Sequence, residues 1–527
     1  MSKRDNGTIE PRRLRLQESL DAAKSPAERN RLGQFATPPT LAADVIRLAR
    51  SLTPPNAGIR FLDPAFGTGS FYSALLRGFP KRRLQRALGY EVDPHYGDAA
   101  RDLWAGTPLR LLLHDFTAAT PPAEDADKAT LIVCNPPYVR HHHLGAAVKR
   151  RLRMASIRAS ATDLNGLAGL YCYFISLSHA WMAKEALALW LIPSEFMDVN
   201  YGRPLKDYLL NRVTLLRIHR FDPGQVQFDD ALVSSAVVCF RNSPPGPQHM
   251  VEFTYGGTLT KPERTRVFGR SELDPAGKWS NLALVGPTAQ GSVLGPRLSD
   301  LFVIKRGIAT GANEFFVLGE AKAKDLGLPS KFLRPILPSP RFLRTNEVDA
   351  DENGNPIVEP RLLLLDCPLP EEEIRGKYPM LWEYLQLGVT GGVPERYLCQ
   401  HRSPWYSQED RRPAPILCTY MGRSNGGTSA FRFILNLSRA IAANVYLMLY
   451  PQPGLESMMR RDPELLRAVW SALRRIPWEE LRVVGRVYGG GLHKLEPREL
   501  SAAPLDTVLD ALPDLPLASG RQPALSW

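Results

Sequence analysis

The sequence is poor in cysteine, and the six it has, Cys134, Cys172, Cys239, Cys367, Cys399 and Cys418, are scattered with no CxxC spacing. That pattern argues against both a disulfide framework and a structural zinc site, so the cysteines read as small buried hydrophobes. Long apolar runs are also missing. The longest, Ala186 to Ile192, falls far short of the roughly 20 residues that cross a bilayer. The first residues, MSKRDNGTIEPRRLRLQ, lack the apolar centre of a secretory leader. A cytoplasmic protein without membrane contact is therefore expected. There is no internal repeat and no low-complexity tract. Acids are in deficit: 54 Asp and Glu face 66 Lys and Arg, a formal net charge of +12. That excess permits a polyanionic partner, because cations that neutralise phosphates release condensed counterions, but it does not by itself require one.

What is present describes a globular protein of more than one domain. A chain of 527 residues with 44% hydrophobic and 23% charged residues can bury substantial cores, and its length suits two domains. Residues 1–32 read as a basic amino-terminal arm with a helix. From Gly33 to about Asn242, short apolar runs alternate with helical patterns, which predicts a parallel-dominated sheet. The expected strands are Ile59–Leu62, Ala87–Glu91, Leu109–Leu113, Leu131–Cys134, Leu187–Ile192, Val213–Phe221 and Val233–Phe240. Helices are expected near Pro39–Leu52, Ser70–Arg77 and Leu170–Lys184. The stretch SPPGPQH, residues 243–249, has the composition of a linker, which puts a domain boundary at 245/246. Beyond it the chain is rich in Pro, Gly, Arg and aromatics, and its elements are poorly legible.

Three of the expected strands end in an acid. The strand IRFLD runs into PAFGTGSF, placing Asp63 at the strand end and Gly67 and Gly69 ahead of the next helix. Glycines there let a backbone approach a ligand closely, in the crevice where doubly wound sheets hold cofactors. GYEVD ends the second strand in Glu91, where an acid can hydrogen-bond ribose hydroxyls. HDF ends the third in Asp115. A strand-capping turn explains any one of these, but three in succession are hard to explain that way.

The fourth strand, LIVC, leads into Asn135-Pro136-Pro137-Tyr138. An exocyclic amine on an aromatic base is a poor nucleophile because its lone pair is drawn into the ring. Two acceptors aimed at its hydrogens, the Asn135 side-chain oxygen and the Pro136 carbonyl, would return that lone pair to nitrogen. The prolines hold such acceptors rigid, the preorganisation that electrostatic catalysis needs. Tyr138 could stack on a base that has left its duplex. The alternative is a rigid strand-to-helix turn.

With these motifs in this order the chain resembles the gamma-class, TaqI-like amino-methyltransferases of DNA, the adenine-N6 group common in restriction–modification systems. The resemblance covers residues 33–242 specifically and the rest loosely. It implies a Rossmann-like class I methyltransferase sheet of about seven strands over 33–245 and an α+β target-recognition domain over 246–527. It also implies S-adenosylmethionine as cofactor, double-stranded DNA as partner, and a cognate restriction endonuclease acting separately. Within GQFATP (Gly33–Pro38), Thr37 matches the position implied to touch the methionine part of the cofactor. Asp63, Pro64, Ala65, Gly67, Gly69, Glu91 and Asp115 match the cofactor contacts, and Asn135 to Tyr138 the catalytic tetrapeptide. QFDDALVSSAVVCF resembles the segment whose first aromatic, here Phe228, faces the flipped base opposite Tyr138. KRGIATGANEFFVL, FRFILNLSRAIAANVYLMLYP and YGGGLHKLEPRELSAAPL look like pieces of target-recognition regions.

The same acceptor pair also serves the amine of cytosine, and a protein-glutamine methyltransferase shares NPPY, although roughly 280 residues beyond the catalytic domain count against it. A modification subunit that needs a separate specificity protein is a third alternative. No Pro-Cys nucleophile is present for methylation at cytosine carbon. His141-His142-His143 are consecutive and cannot readily face one ion, so no metal is expected. The run KRRLR, 149–153, either touches DNA or is a solvated face.

Overall fold

The computed structural model describes residues 6–225, 227, 234–285, 295–423, 429–488 and 491–517. The chain divides into two compact units, Met1–Ser292 with Tyr488–Gly490, and Val293–Val487 with Gly491–Trp527.

The first unit is built on a sheet of nine strands among the described residues: β1 (Ile59–Asp63), β2 (Leu84–Glu91), β3 (Leu109–Leu113), β4 (Ala129–Cys134), β5 (Met182–Pro193), β6 (Thr214–Arg220), β7 (Ser235–Arg241), β8 (Met250–Tyr255) and β9 (Arg264–Gly269). Their order is β3-β2-β1-β4-β5-β7-β6-β8-β9. The first five pair in parallel, and β7 runs antiparallel between β5 and β6. This is the class I methyltransferase sheet that the resemblance implied. The central β4 is apolar from Leu131 to Cys134 because helices cover both faces of a parallel sheet. On one face lies α3 (Pro39–Leu52), which starts on a proline and buries Leu41, Ala42, Val45, Ile46, Leu48 and Ala49, spaced at helical period. Beside it packs α4 (Ser70–Gly78). The other face carries α6 (Ala146–Ser160), α7 (Leu170–Ser178) and α8 (Arg203–Asn211), while α5 (Pro94–Leu103) joins β2 to β3.

Three expectations need correction. The boundary at 245/246 falls inside the sheet: β8 pairs in parallel with β6, β9 pairs with β8, and the unit runs to Ser292. Asp44 of α3 ties this extension down, accepting from Leu259 N at 2.7 Å and from Thr260 Oγ1 at 3.0 Å. Next, the helix expected over Leu170–Lys184 stops at Ser178, and β5 begins at Met182. Ala, Lys and Glu favour helix there, but pairing of Met182 and of Leu187 onward with β4, together with the Asn242 carbonyl, which accepts from Glu185 N at 3.0 Å, overrides propensity. Finally, the basic arm over 1–32 holds two helices among its described residues, and not one. These are α1 (Asn6–Ala22) and α2 (Pro26–Leu32), and α1 packs on α4 and α5.

The second unit is α+β, as implied. Among its described residues a five-stranded sheet runs in the order Phe302–Arg306, Tyr446–Pro451, Ile416–Thr419, Phe433–Asn436 and Glu347–Val348. It is antiparallel except at its last pair. Two three-stranded sheets and short helices complete it. Its apolar residues gather into separate clusters, one around Leu417, Ile434 and Met448 and another around Phe316, Leu364 and Leu385. KRGIATGANEFFVL and FRFILNLSRAIAANVYLMLYP supply strands and turns here.

A candidate cofactor and base-binding site

Strand order reverses between β1 and β4, so a crevice opens beyond their carboxyl ends. Asp63 and Asn135 stand at those two ends. Asp63 is buried and accepts from Ala65 N at 3.2 Å. The turn that follows is held from several sides: Phe66 N donates to Tyr90 O at 2.8 Å, and Trp104 Nε1 donates to Thr68 O at 2.9 Å. Gly69 has φ +89°, and a Cβ there would sit 2.7 Å from both Phe66 and Trp104. Gly67, by contrast, has φ +55° with nothing within 4 Å of its missing Cβ, so its backbone faces open space. One glycine permits the fold of the loop. The other exposes main chain to a ligand.

The open space is a cavity of about 670 Å³ lined by Ala65, Gly67, Glu91, Asp115, Asn135 and Phe174 among others, a size that suits a nucleoside-sized ligand. Glu91 bridges the loop and its own strand end, accepting from Gly67 N at 2.8 Å and Asp93 N at 2.9 Å. Burial pushes the Asp63 carboxyl well above the usual carboxylate range, and burial likewise raises Glu91. Donors or positive charge brought beside two desolvated carboxyls are strongly favoured. Asp115 caps the short turn after β3, accepting from Thr117 N at 2.8 Å, and lies 3.5 Å from Arg151. All three acids stand at the same edge of the sheet. Pro64 lines the cavity as well.

The Asn135-to-Tyr138 turn is fixed by the GQFATP segment. Gly33 ends α2 at φ +65°, and its carbonyl accepts from Tyr138 N at 3.1 Å. A Cβ on Gly33 would lie 2.4 Å from Tyr138 N, so only glycine allows the two segments to lie this close. The Asn135 side-chain NH₂ donates to Phe35 O at 3.0 Å and Thr37 Oγ1 at 3.1 Å. Both donors being spent, the amide can present only its oxygen elsewhere. Asn135 Oδ1 is buried without a hydrogen-bond partner among the described residues. Such a group costs free energy until a donor meets it.

Pro136 is buried and Pro137 lines the cavity. Tyr138 is more deeply placed than a stacking platform requires: it is 8% exposed, its hydroxyl donates to Leu191 O at 3.2 Å, and its ring lies 5.6 Å from that of Phe35. Burial pushes its phenol far above the usual value. Thr37 is paired with Asn135, a partner the sequence reading did not foresee. Phe228 lies outside the described residues. His141 to His143 form a short 3-10 turn, and no metal-holding group of side chains occurs among the described residues.

Sequence reasoning missed the amino-terminal share of the site. Gln17, Lys24, Glu28, Leu32, Gln34 and Phe35 all line the cavity. Lys24 pairs with Asp93, which also accepts from Gln34 Nε2 at 2.7 Å. Arg13, 1% exposed, donates to Thr68 Oγ1 at 3.1 Å and Ser70 Oγ at 2.9 Å, and is paired with Glu10 at 2.7 Å. The signal available in the sequence was the Ser25-Pro26 helix start leading into GQFATP, which ties this segment to the motif that follows.

Residues 111–227 match the family described as the Eco57I restriction-modification methylase, and residues 290–517 match the C-terminal domain of the Type II methyltransferase M.Eco57I. These matches support a DNA methyltransferase of restriction–modification type. Its cofactor is S-adenosylmethionine. Type II methyltransferase M.XamI of Xanthomonas campestris pv. amaranthicola is 29% identical to this methyltransferase over 463 residues, covering 84% of this chain and 79% of that protein. M.AccI of Acinetobacter calcoaceticus is 26% identical over 458 residues with the same coverage. Among solved structures, the Type IIL restriction-modification enzyme MmeI in complex with DNA superposes with a TM-score of 0.56 at 12% identity, over 93% of this chain and 70% of that one. The DrdV–DNA complex gives 0.50 at 12% identity, and this methyltransferase spans 54% of that chain. Both share the fold. No helix of the described residues is long and apolar enough to cross a membrane.

Proposed function

We propose that the protein methylates the N6 amine of adenine at a specific sequence in duplex DNA, acting on a base turned out of the helix, and so protects DNA from a cognate endonuclease that acts separately. The observation that carries this reading is Asn135 Oδ1, a buried acceptor left without a donor while its amide is locked by Phe35 and Thr37. An amine offering one hydrogen to Oδ1 and the other to the Pro136 carbonyl has its lone pair restored on nitrogen. Bound S-adenosylmethionine supplies an electrophilic methyl group. Glu91 is assigned to the ribose hydroxyls and Asp115 to an adenine amine, Pro64, Ala65 and Gly67 to the cavity wall beneath the cofactor, and Asp63 and Gly69 to shaping that loop. Thr37 acts by holding Asn135. Tyr138 and Phe228 are assigned to the two faces of the extruded base, and the second unit to reading the target.

The test is to incubate the protein with S-adenosylmethionine and unmethylated genomic DNA and sequence the product by a modification-sensitive single-molecule method. N6-methyladenine in one motif, absent with Asn135→Ala, is expected. N4-methylcytosine would keep the acceptor chemistry and overturn the base. No modification of any duplex would sink the reading.

A further inference from the structure

Beside the cavity lies a surface that the transfer chemistry does not use. From Arg140 to Thr162 the sequence holds Arg140, Lys149, Arg150, Arg151, Arg153 and Arg158, and no acid. Five of these six lie on α6, whose inner contact is one narrow stripe of Leu152, Ser156 and Ser160. Both serine hydroxyls meet Ser176 of α7, Ser160 at 2.7 Å, so the helix is seated by small polar groups and leaves most of its girth in solvent. Two of the cations are answered in place: Arg151 reaches Thr117 O at 2.8 Å as well as Asp115, and Arg153 pairs with Asp163. Arg140, Lys149, Arg150 and Arg158 have no ion pair among the described residues. The charges are close enough to act on one another. His142 is held below its usual range by desolvation and then by His143, His141, Arg140 and Lys149.

Like charge gathered without a counter-charge is costly to the folded state and attractive to a polyanion. The position matters as much as the sign. The same helix turns Val148, Arg151 and Leu152 to the cavity, so its unpaired cations begin within one turn of the site. From Lys149 to Arg158 is nine residues of helix, about 14 Å, a length over which duplex DNA presents about eight phosphates on its two strands. We propose that α6, with the Arg140–His143 turn, grips the phosphate backbone beside the extruded nucleotide through Lys149, Arg150 and Arg158. The proposal rests on duplex DNA being the substrate. These residues position the duplex and carry no sequence information, since phosphates are alike at every step. Met154 and Ile157, exposed at 53% and 37% among them, are not part of the grip.

The test compares the wild type with Lys149→Gln/Arg150→Gln/Arg158→Gln, reading the anisotropy of a fluorescein-labelled random-sequence duplex across a salt series. S-adenosylmethionine affinity by calorimetry serves as the control for folding, and none of the three residues touches the cavity. The variant is expected to keep cofactor affinity, to bind the duplex at least about tenfold more weakly at low salt, and to lose about 3 from the slope of log affinity against log salt. Wild-type affinity and slope in the variant would overturn the proposal. So would an equal loss in Met154→Gln/Ile157→Gln with the slope unchanged, which would mark the face as an apolar seat for a protein. If the wild type neither binds nor methylates any duplex, the reading of the substrate fails first, and that result is distinct from failure of the variant alone.

Discussion

Thr37 Oγ1 lies 3.1 Å from Asn135 Nδ2, so a residue of the GQFATP segment sets which way the Asn135 amide faces. With the Phe35 carbonyl on the second amide hydrogen, Asn135 Oδ1 is left as a buried acceptor without a partner among the described residues. Thr37→Val removes one of the two restraints. Activity should fall about tenfold to a hundredfold through kcat, with S-adenosylmethionine affinity little changed. A rise in cofactor Kd with kcat preserved would instead restore Thr37 to a direct cofactor contact. Asn135→Ala should cost at least about a hundredfold in kcat.

Gly33 allows two segments to touch. Gly33→Ala places a methyl group 2.4 Å from Tyr138 N and holds alanine at φ +65°. A loss of about 2 kcal/mol or more is expected from backbone strain and displacement of the turn. Urea unfolding measures it, and methyl transfer should drop further than stability alone explains.

The buried Arg13–Glu10 pair should behave as a unit. Arg13→Met leaves Glu10, itself buried, with only Ser73 and the more distant Arg77, and is expected to cost about 3–5 kcal/mol. Arg13→Met/Glu10→Gln should be milder, because no uncompensated charge remains. Cofactor affinity should weaken in both, since each loses the hold on Thr68 and Ser70.

His219 links stability to pH. It is fully buried between β7 and β8, its Nδ1 is 2.8 Å from Thr254 Oγ1, and its Nε2 has no partner among the described residues. Burial lowers its pKa from 6.5 to about 4. The unfolded chain therefore binds the proton more readily, so the contribution is full above pH 6.5 and is lost as pH falls toward 4. Its size is on the order of 3 kcal/mol. Comparing urea midpoints at neutral pH and near the lower limit, His219→Gln should lose less stability on acidification than the wild type.

The legible parts of this protein were those whose signal is local. A strand, a glycine-rich turn and a terminal acid lie within a few residues of one another, so Asp63, Glu91, Asp115 and Asn135 could be placed at one sheet edge before any coordinates. Arg13 could not be, because its partners Thr68 and Ser70 are more than 50 positions away and nothing near Arg13 marks it as buried. The boundary failed for a different reason. SPPGPQH has the composition of a linker but serves as the turn into β8, and composition does not distinguish a connection within a sheet from one between units. The depth of Tyr138 was hidden as well, since NPPY does not reveal that the hydroxyl ends on a carbonyl of β5.

The Asp44 anchor bears on how such proteins can be recombined. Its carboxylate, set early in the chain, is satisfied by Leu259 and Thr260, more than 200 positions later. A hybrid that borrows a new second unit from a relative and joins it at residue 245 would leave that carboxylate with Arg47 alone and strip the neighbour from β6. A junction after Val285 inherits the whole sheet, so exchange of target preference between relatives should succeed at the later seam and yield insoluble protein at the earlier one.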